Sequence, residues 1–165
     1  MLPSEVFLVW AAGFFDGEGT VLVQVAKSKS CRRGVRTMLS AAASQTSLPC
    51  LNMLKERFGG CISVTNRNGE RNPRHSVAYI WSVRNKDAMA FLHAIYPYTV
   101  VKKEQIAVAL TYPLSEPPNP ATGHYRNSIS DELHNQRLAI GQKLRDIRAA
   151  MKTSFDSATE EETDA

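Results

Sequence analysis

The sequence predicts an α+β domain in which a helix and a two-stranded hairpin alternate twice before further helices close the chain, an αββαββα order. Two observations carry this. Apolar residues alternate with period two, the repeat of a strand, in two separate pairs of segments. A stretch with helical start signals precedes each pair, and turn-forming residues mark the boundaries. A third observation sets the size: 165 residues, 43% hydrophobic and 22% charged, fit one domain with a real core.

Taking the elements in order, Ser4 can cap a first helix running to about Asp16. No polar residue interrupts Val6 to Phe15, so this helix should be buried on nearly all sides, internally or at a subunit interface. It stops at two acids, Asp16 and Glu18, each followed by a glycine. An end near Asp16 leaves Glu18 on the turn beyond, where Gly17 and Gly19 permit unusual backbone angles.

From Gly19 the period changes. In "TVLVQVAKS", Val21, Val23 and Val25 share one face and Thr20, Leu22, Gln24, Ala26 and Ser28 the other. A loop with Cys31 to Gly34 returns into "RTMLSAAAS", where Arg36, Met38, Ser40 and Ala42 alternate with Thr37, Leu39, Ala41 and Ala43. Ser47 caps the next helix, with Pro49 in its first turn, and Gly59 and Gly60 end it. "CISVTNR" and "SVAYIWSV" form the second hairpin around a polar loop, with Ile62, Val64, Val77, Tyr79, Trp81 and Val83 inward. Asn85 caps a helix through about Tyr96, and a shorter one spans Val100 to Tyr112. "PLSEPPNPATG" is an irregular loop. Ser130 then caps a last amphipathic helix whose apolar side is Leu133, Ile140, Leu144, Ile147 and Met151. Residues 1–153 form the domain, and the acidic tail 154–165 is expected to be disordered.

Composition narrows the function classes. The longest apolar run is about half of the roughly 20 residues a membrane span needs. A secretory leader is not expected, because Glu5 precedes the run and Asp16 closes it. Three cysteines without metal spacing read as reduced thiols in an intracellular protein, and four scattered histidines make a zinc site unexpected. The formal charge of +4 hides an asymmetry: without the five acids of the tail, 20 basic residues stand against 11 acidic ones, +9 for the body. A basic body suits a polyanionic partner.

The hairpins sharpen that. Their non-core faces carry Gln, Ser, Thr, Arg and Ala, and their tips are strongly basic: Lys27, Lys29, Arg32, Arg33 and Arg36 in the first without an intervening acid, Arg67, Arg71 and Arg74 in the second with only Glu70 among them. A half-solvated antiparallel sheet explains the alternation but not the basic tips. A sheet lying in the DNA major groove would use small, amide and guanidinium side chains toward bases, and Lys and Arg toward phosphates. Gln24, Ser28, Arg36, Ser40, Ser63, Thr65 and Arg67 fall on the polar faces. Lys29, Arg32, Arg33, Arg71 and Arg74 fall at the tips.

Residues Ala11 to Gly19, "AAGFFDGEG", resemble the signature of the LAGLIDADG homing endonucleases. Ala12, Gly13, Asp16 and Gly19 match that motif outright, Phe14 and Phe15 keep its apolar pair, and Glu18 replaces its final Asp with the same charge. The element order covers the same ground as the family's domain. The resemblance implies a saddle-shaped antiparallel sheet on the DNA major groove and site-specific double-strand cleavage associated with intron homing. One motif copy resembles the class that acts as a homodimer, which implies a long, near-palindromic target. The motif helix would then pack on its mate through Phe7, Trp10, Ala12, Gly13 and Phe14, the small Ala12 and Gly13 allowing close approach.

The same resemblance assigns the site. Two Glu18 carboxylates brought together repel unless a cation lies between them, so divalent metal follows. Mg²⁺ is the expected ion, with Mn²⁺ as a substitute and Ca²⁺ supporting binding without efficient cleavage. The Gly17 carbonyl is a further candidate ligand; Asp16 is a weaker one, because the family's first acid often closes the helix end. Gln45 resembles a residue that positions water, and Lys102, with Lys103 as the alternative, resembles an outer-shell lysine that stabilises phosphate charge. Pro49 falls near where some relatives have a basic residue. The resemblance implies cleavage across the minor groove leaving 3′ overhangs, with no covalent intermediate. It leaves the compartment between a prokaryotic cytoplasm and an organelle, mitochondrion or chloroplast. The rival reading is a non-cleaving intron RNA maturase or DNA-binding regulator on the same fold, which keeps the basic hairpins and does not need Glu18.

Overall fold

The protein is described here as a computed structural model covering residues 4–29, 31, 33–66, 77–115 and 129–163. The elements are α1 (Glu5–Glu18), β1 (Gly19–Lys27), β2 (Val35–Gln45), α2 (Leu48–Phe58), β3 (Cys61–Asn66), β4 (Ala78–Arg84), α3 (Asn85–Ile95), a 3₁₀ turn (Tyr96–Tyr98), α4 (Lys103–Leu110) and α5 (Asp131–Thr163). The expected order is therefore present. Four antiparallel strands make one sheet in the order β1-β2-β4-β3, which puts the second strand of each hairpin at the centre.

Alternation decides which face is buried. Val21, Val23, Leu39, Ala41, Ala43, Trp81 and Val83 point into the core, and helices cover that side. At its centre Phe91 of α3 meets three aromatic rings edge-on, Phe15 at 5.1 Å and Phe58 and Trp81 at 4.9 Å. This geometry sets ring edges against ring faces and adds to the burial term. The Trp81 indole N–H, which burial would otherwise orphan, donates to the Gly59 carbonyl at 2.8 Å.

α1 starts as expected: the Ser4 hydroxyl accepts from Phe7 N at 3.3 Å. Its end differs. The helix continues through Gly17 to Glu18, and β1 begins at the next residue. Neither Gly17 nor Gly19 has positive φ. Gly19 is glycine for another reason: a Cβ there would collide with the ring and carbonyl of Phe15. The core position of Phe15 thus dictates the motif's last glycine.

Two capping expectations need correction. The Ser47 side chain makes no capping bond. Arg84, not Asn85, occupies the N-cap position of α3, and Asn85 takes φ 48 inside the first turn. The strand runs one residue further than the Asn suggested, and Asn tolerates the left-handed region better than most residues. At α5 the Ser130 hydroxyl does accept from Leu133 N, at 3.1 Å. α5 carries on to Thr163. Arg137 of α5 is buried, and its guanidinium donates to the carbonyls of Pro113 and Leu114 at 2.9 and 2.6 Å.

Candidate active site and nucleic-acid interface

Asp16, in the last turn of α1, is a structural brace. Its carboxylate accepts the backbone N–H groups of Val100 and Val101 on Oδ2, at 2.8 and 3.1 Å, and of Lys102 on Oδ1, at 2.9 Å. A carboxylate filled in this way has little capacity left for a metal. The Lys102 ammonium in turn donates to the Asp16 carbonyl, one of the carbonyls a helix C-terminus leaves without an internal partner. Burial pushes the Lys102 ammonium below its usual range, Asp16 and Glu18 pull it back up, and Arg148 pushes it down again. Lys103 lies elsewhere, exposed, with its ammonium 5.6 Å from the centre of the Tyr96 ring.

Glu18, two residues on, is exposed and makes no hydrogen bond or ion pair among the described residues. The Phe15 carbonyl is met by Gly19 N–H and the Asp16 carbonyl by Lys102; no capping donor among the described residues reaches the Gly17 carbonyl. Gly19 pairs with Ala43, so the end of β2, Ser44 and Gln45, lies beside the α1–β1 junction. The Gln45 side-chain oxygen accepts from Thr46 N at 2.8 Å, which leaves its amide N–H groups available.

These donors fit a hard divalent cation only in part. Carboxylate and carbonyl oxygens are the right chemistry, but the described residues hold no group of three or more His, Cys, Asp or Glu that could cage an ion alone. Further ligands would have to come from outside one chain.

On the sheet, the polar face carries Gln24 opposite Met38, and Ser40 between Leu22 and Arg84. Arg36, opposite Ala26, is exposed, as is Ser63 on β3; Gln24 and Ser28 are half-exposed. Two candidates fare differently from expectation. Ser40 is only 2% exposed, so its flanking side chains cover it. Arg33 is engaged within the chain: Nε donates to Asp131 Oδ1 at 2.6 Å, Nη1 to the Ile129 carbonyl at 2.8 Å, and Nη2 completes the ion pair. Lys29 stays exposed. Thr65 lies in β3, while Arg32, Arg67, Arg71 and Arg74 lie outside the described residues. Arg84 was missed, although the inward phase of Trp81 and Val83 already implied that Ser82 and Arg84 face out.

α1 presents a separate surface. Val6 is 81% and Val9 51% exposed, and Gly13 and Gly17 continue the same strip, so the helix is not covered on all sides. Phe7, Trp10 and Phe14 flank it, half-buried in a ladder with 5.4 Å between successive rings. Ala12 is fully buried in its own core and takes no part in the strip.

No helix among the described residues is long and apolar enough to cross a membrane. Among solved structures the chain is similar to the homing endonuclease I-CvuI in complex with the I-CreI target, with TM-score 0.63, 18% identity, and 85% of this chain and 80% of that one covered. It is also similar to the LAGLIDADG meganuclease I-AabMI bound to uncleaved DNA, with TM-score 0.58 and 18% identity over 86% of this chain and 46% of that one. A third is the archaeal intron-encoded homing endonuclease I-Vdi141I complexed with DNA, with TM-score 0.50 and 20% identity over 86% and 99%. At these identities the likeness is one of fold. Curated protein sequences give no match. The family model described as LAGLIDADG endonuclease matches residues 11–108, more than half of the sequence, from the motif through β4 and into α4. The chain therefore belongs to the LAGLIDADG endonuclease family, the site-specific DNA endonucleases.

Proposed function

We propose that two copies of this chain pair through the exposed strip of α1 and hydrolyse both strands of a long, near-palindromic DNA site with divalent metal. The observation that carries this is the contrast at the end of α1. Asp16 accepts three backbone donors, while Glu18, without a hydrogen bond or ion pair among the described residues, projects beside a carbonyl that no capping donor among them reaches. A solvated carboxylate at the end of a helix with one bare apolar face suits a group completed by a two-fold mate. The metal reading draws support from I-CvuI, crystallised with DNA in the presence of Mg or of Ca.

A divalent cation between the two Glu18 carboxylates would offset their repulsion, polarise a phosphate oxygen and make water more acidic. Glu18 and the Gly17 carbonyl are the ligands this chain supplies. The Gln45 amide, beside the same junction, orients water. Lys102 stands behind them as a fixed positive charge toward the phosphate. On the sheet, Gln24 and Arg36 face bases and Lys29 faces phosphate, with Arg84 added to the base-facing set.

Glu18→Gln tests the assignment, because it keeps shape and hydrogen bonding while removing charge. Duplexes cleaved by the wild-type protein with Mg²⁺ are first recovered from a randomised library. The variant should bind them at least as well and leave them intact; normal cleavage would remove Glu18 from the site. Wild-type protein that binds DNA or intron RNA without cutting under any divalent ion would favour the maturase or regulator reading.

A further inference from the structure

α5 reaches the active-site end of the molecule through Arg148. Its Nη2 donates to the Val21 carbonyl at 2.9 Å, three residues past Glu18. Because β1 is an edge strand, this bond alone would satisfy a buried carbonyl that has no neighbouring strand to pair with. A guanidinium carries five N–H donors, and Arg148 makes no other hydrogen bond or ion pair among the described residues. Its side chain is exposed. Most of its donor capacity therefore has no partner among the described residues.

The surroundings say what that charge meets. Arg148 lies close enough to Lys102 for its charge to oppose the ammonium, and Lys102 in turn feels Glu18. Asp16 and Glu18 offset part of that positive charge, and the Asp16 carboxylate is held in place by three backbone donors. Two cations held near each other are mutually unfavourable in the free protein and become favourable around an added anion. Anchoring at the Val21 carbonyl also fixes the guanidinium before any ligand arrives, which lowers the ordering cost of binding.

We propose that Arg148 is a phosphate-binding residue of this endonuclease: held on the Val21 carbonyl, it uses its remaining N–H groups on a backbone phosphate of the DNA beside Glu18. The inference rests on the placement of DNA at Glu18 argued above. It makes the C-terminal helix part of the site and not only packing on β1. Arginine suits the task because its planar fork can grip a carbonyl and a phosphate oxygen together.

Three variants separate this from an edge cap. Arg148→Gln keeps an N–H donor for the Val21 carbonyl and loses the charge; Arg148→Lys keeps the charge; Arg148→Ala loses both. With a duplex recovered by wild-type cleavage, Gln and Ala should slow single-turnover cleavage by roughly tenfold or more, the scale of one hydrogen bond to a charged group, and Lys should retain most of the rate. Binding in Ca²⁺ should lose about 0.9 from its salt slope per phosphate contact in Gln and Ala, but not in Lys. Wild-type rate and slope in Arg148→Gln, or equal losses in Gln and Lys, would overturn the proposal. Thermal unfolding of the Gln and Lys variants checks that both remain folded. The salt slope is read without turnover, so it reports on Arg148 even if Glu18→Gln were found to cleave normally.

Discussion

Lys102 is bound to Asp16 twice: its backbone N–H donates to the carboxylate at 2.9 Å, and its ammonium donates to the main-chain carbonyl of the same residue. Eighty-six positions apart in sequence, the two lock the end of α1 to the start of α4. Family resemblance made both candidates for chemistry, and the structure gives each a share in holding the site together.

Asp16→Ala should therefore act on stability before it acts on metal. Two of its three accepted bonds are solvent-exposed, so the loss should be about 1.5–3 kcal/mol, the range for a single well-made bond to a charged group. Chemical denaturation of Asp16→Ala and Glu18→Gln side by side is the check. Only Asp16→Ala should shift the midpoint, and a shift in Glu18→Gln alone would reverse the two roles.

Gly13→Leu should spare the single chain and break the pair. A Cβ at Gly13 meets nothing within 4 Å, so the added side chain has room in one copy. Between two close-packed helices it would overpack, which commonly costs about 1–3 kcal/mol. Sedimentation should show a shift toward folded monomer. A stable dimer with unchanged mass would place the seam away from this face.

Gln24→Ala and Arg36→Ala should relax preference at particular base pairs, symmetrically in both half-sites, since a good bidentate contact discriminates by about 1–3 kcal/mol. Lys29→Ala should weaken binding to all sequences and lower the salt slope by about one unit per contact. Arg33→Ala should instead lower thermal stability with little change in that slope, because its guanidinium is already engaged with Asp131 and Ile129. A cleavage profile over single-base variants, paired with a salt titration, distinguishes these outcomes; matching profiles for Gln24→Ala and Lys29→Ala would argue against a sheet that reads bases.

Tyr112 supplies a pH test. Its ring lies 5.0 Å from the Arg137 guanidinium, and its hydroxyl is buried near Thr37 with no hydrogen-bond partner of good geometry among the described residues. Burial raises its pKa above 10.0, outweighing the opposite pulls of Thr37, Arg137 and the Leu39 backbone. The folded state then holds the phenolic proton more tightly than the unfolded one. That contribution is fully present below pH 10 and is lost as pH rises through the folded value. Tyr112→Phe should match wild type near neutrality, since it removes an unpaired hydroxyl, and should lose less stability above pH 10. Parallel decline of both proteins in alkaline denaturation curves would exclude the effect.

What was legible in the sequence is what depends on near neighbours. Period-two alternation placed all four strands and most of their inward faces, although Val25 and Val64, set on the core-facing side, are 53% and 38% exposed; Ser4 and Ser130 announced real caps. The end of α1 was misplaced because Gly17 reads locally as a breaker, whereas the anchoring of Phe15 in the core holds the helix two residues longer. The site was half legible. The motif named Glu18, but the saturation of Asp16 depends on donors 84 to 86 residues away. The capture of Arg33 depends on Asp131, 98 residues on. Such pairings are set by how elements dock, and a charge in sequence does not disclose which partner it will meet.

Glu18 ends a helix and Gly19 opens a strand, with no residue between them. A joint of that kind has no slack, so α1 and the first hairpin turn as one stiff lever. In a two-fold pair, the distance between the two sheets along the DNA is then set by the crossing of the helices and not by a hinge. The molecule becomes a ruler: one base pair added at the centre of its target displaces the far half-site by ~3.4 Å and rotates it about a tenth of a turn. Both errors must be absorbed by the DNA, because the protein has nowhere to bend.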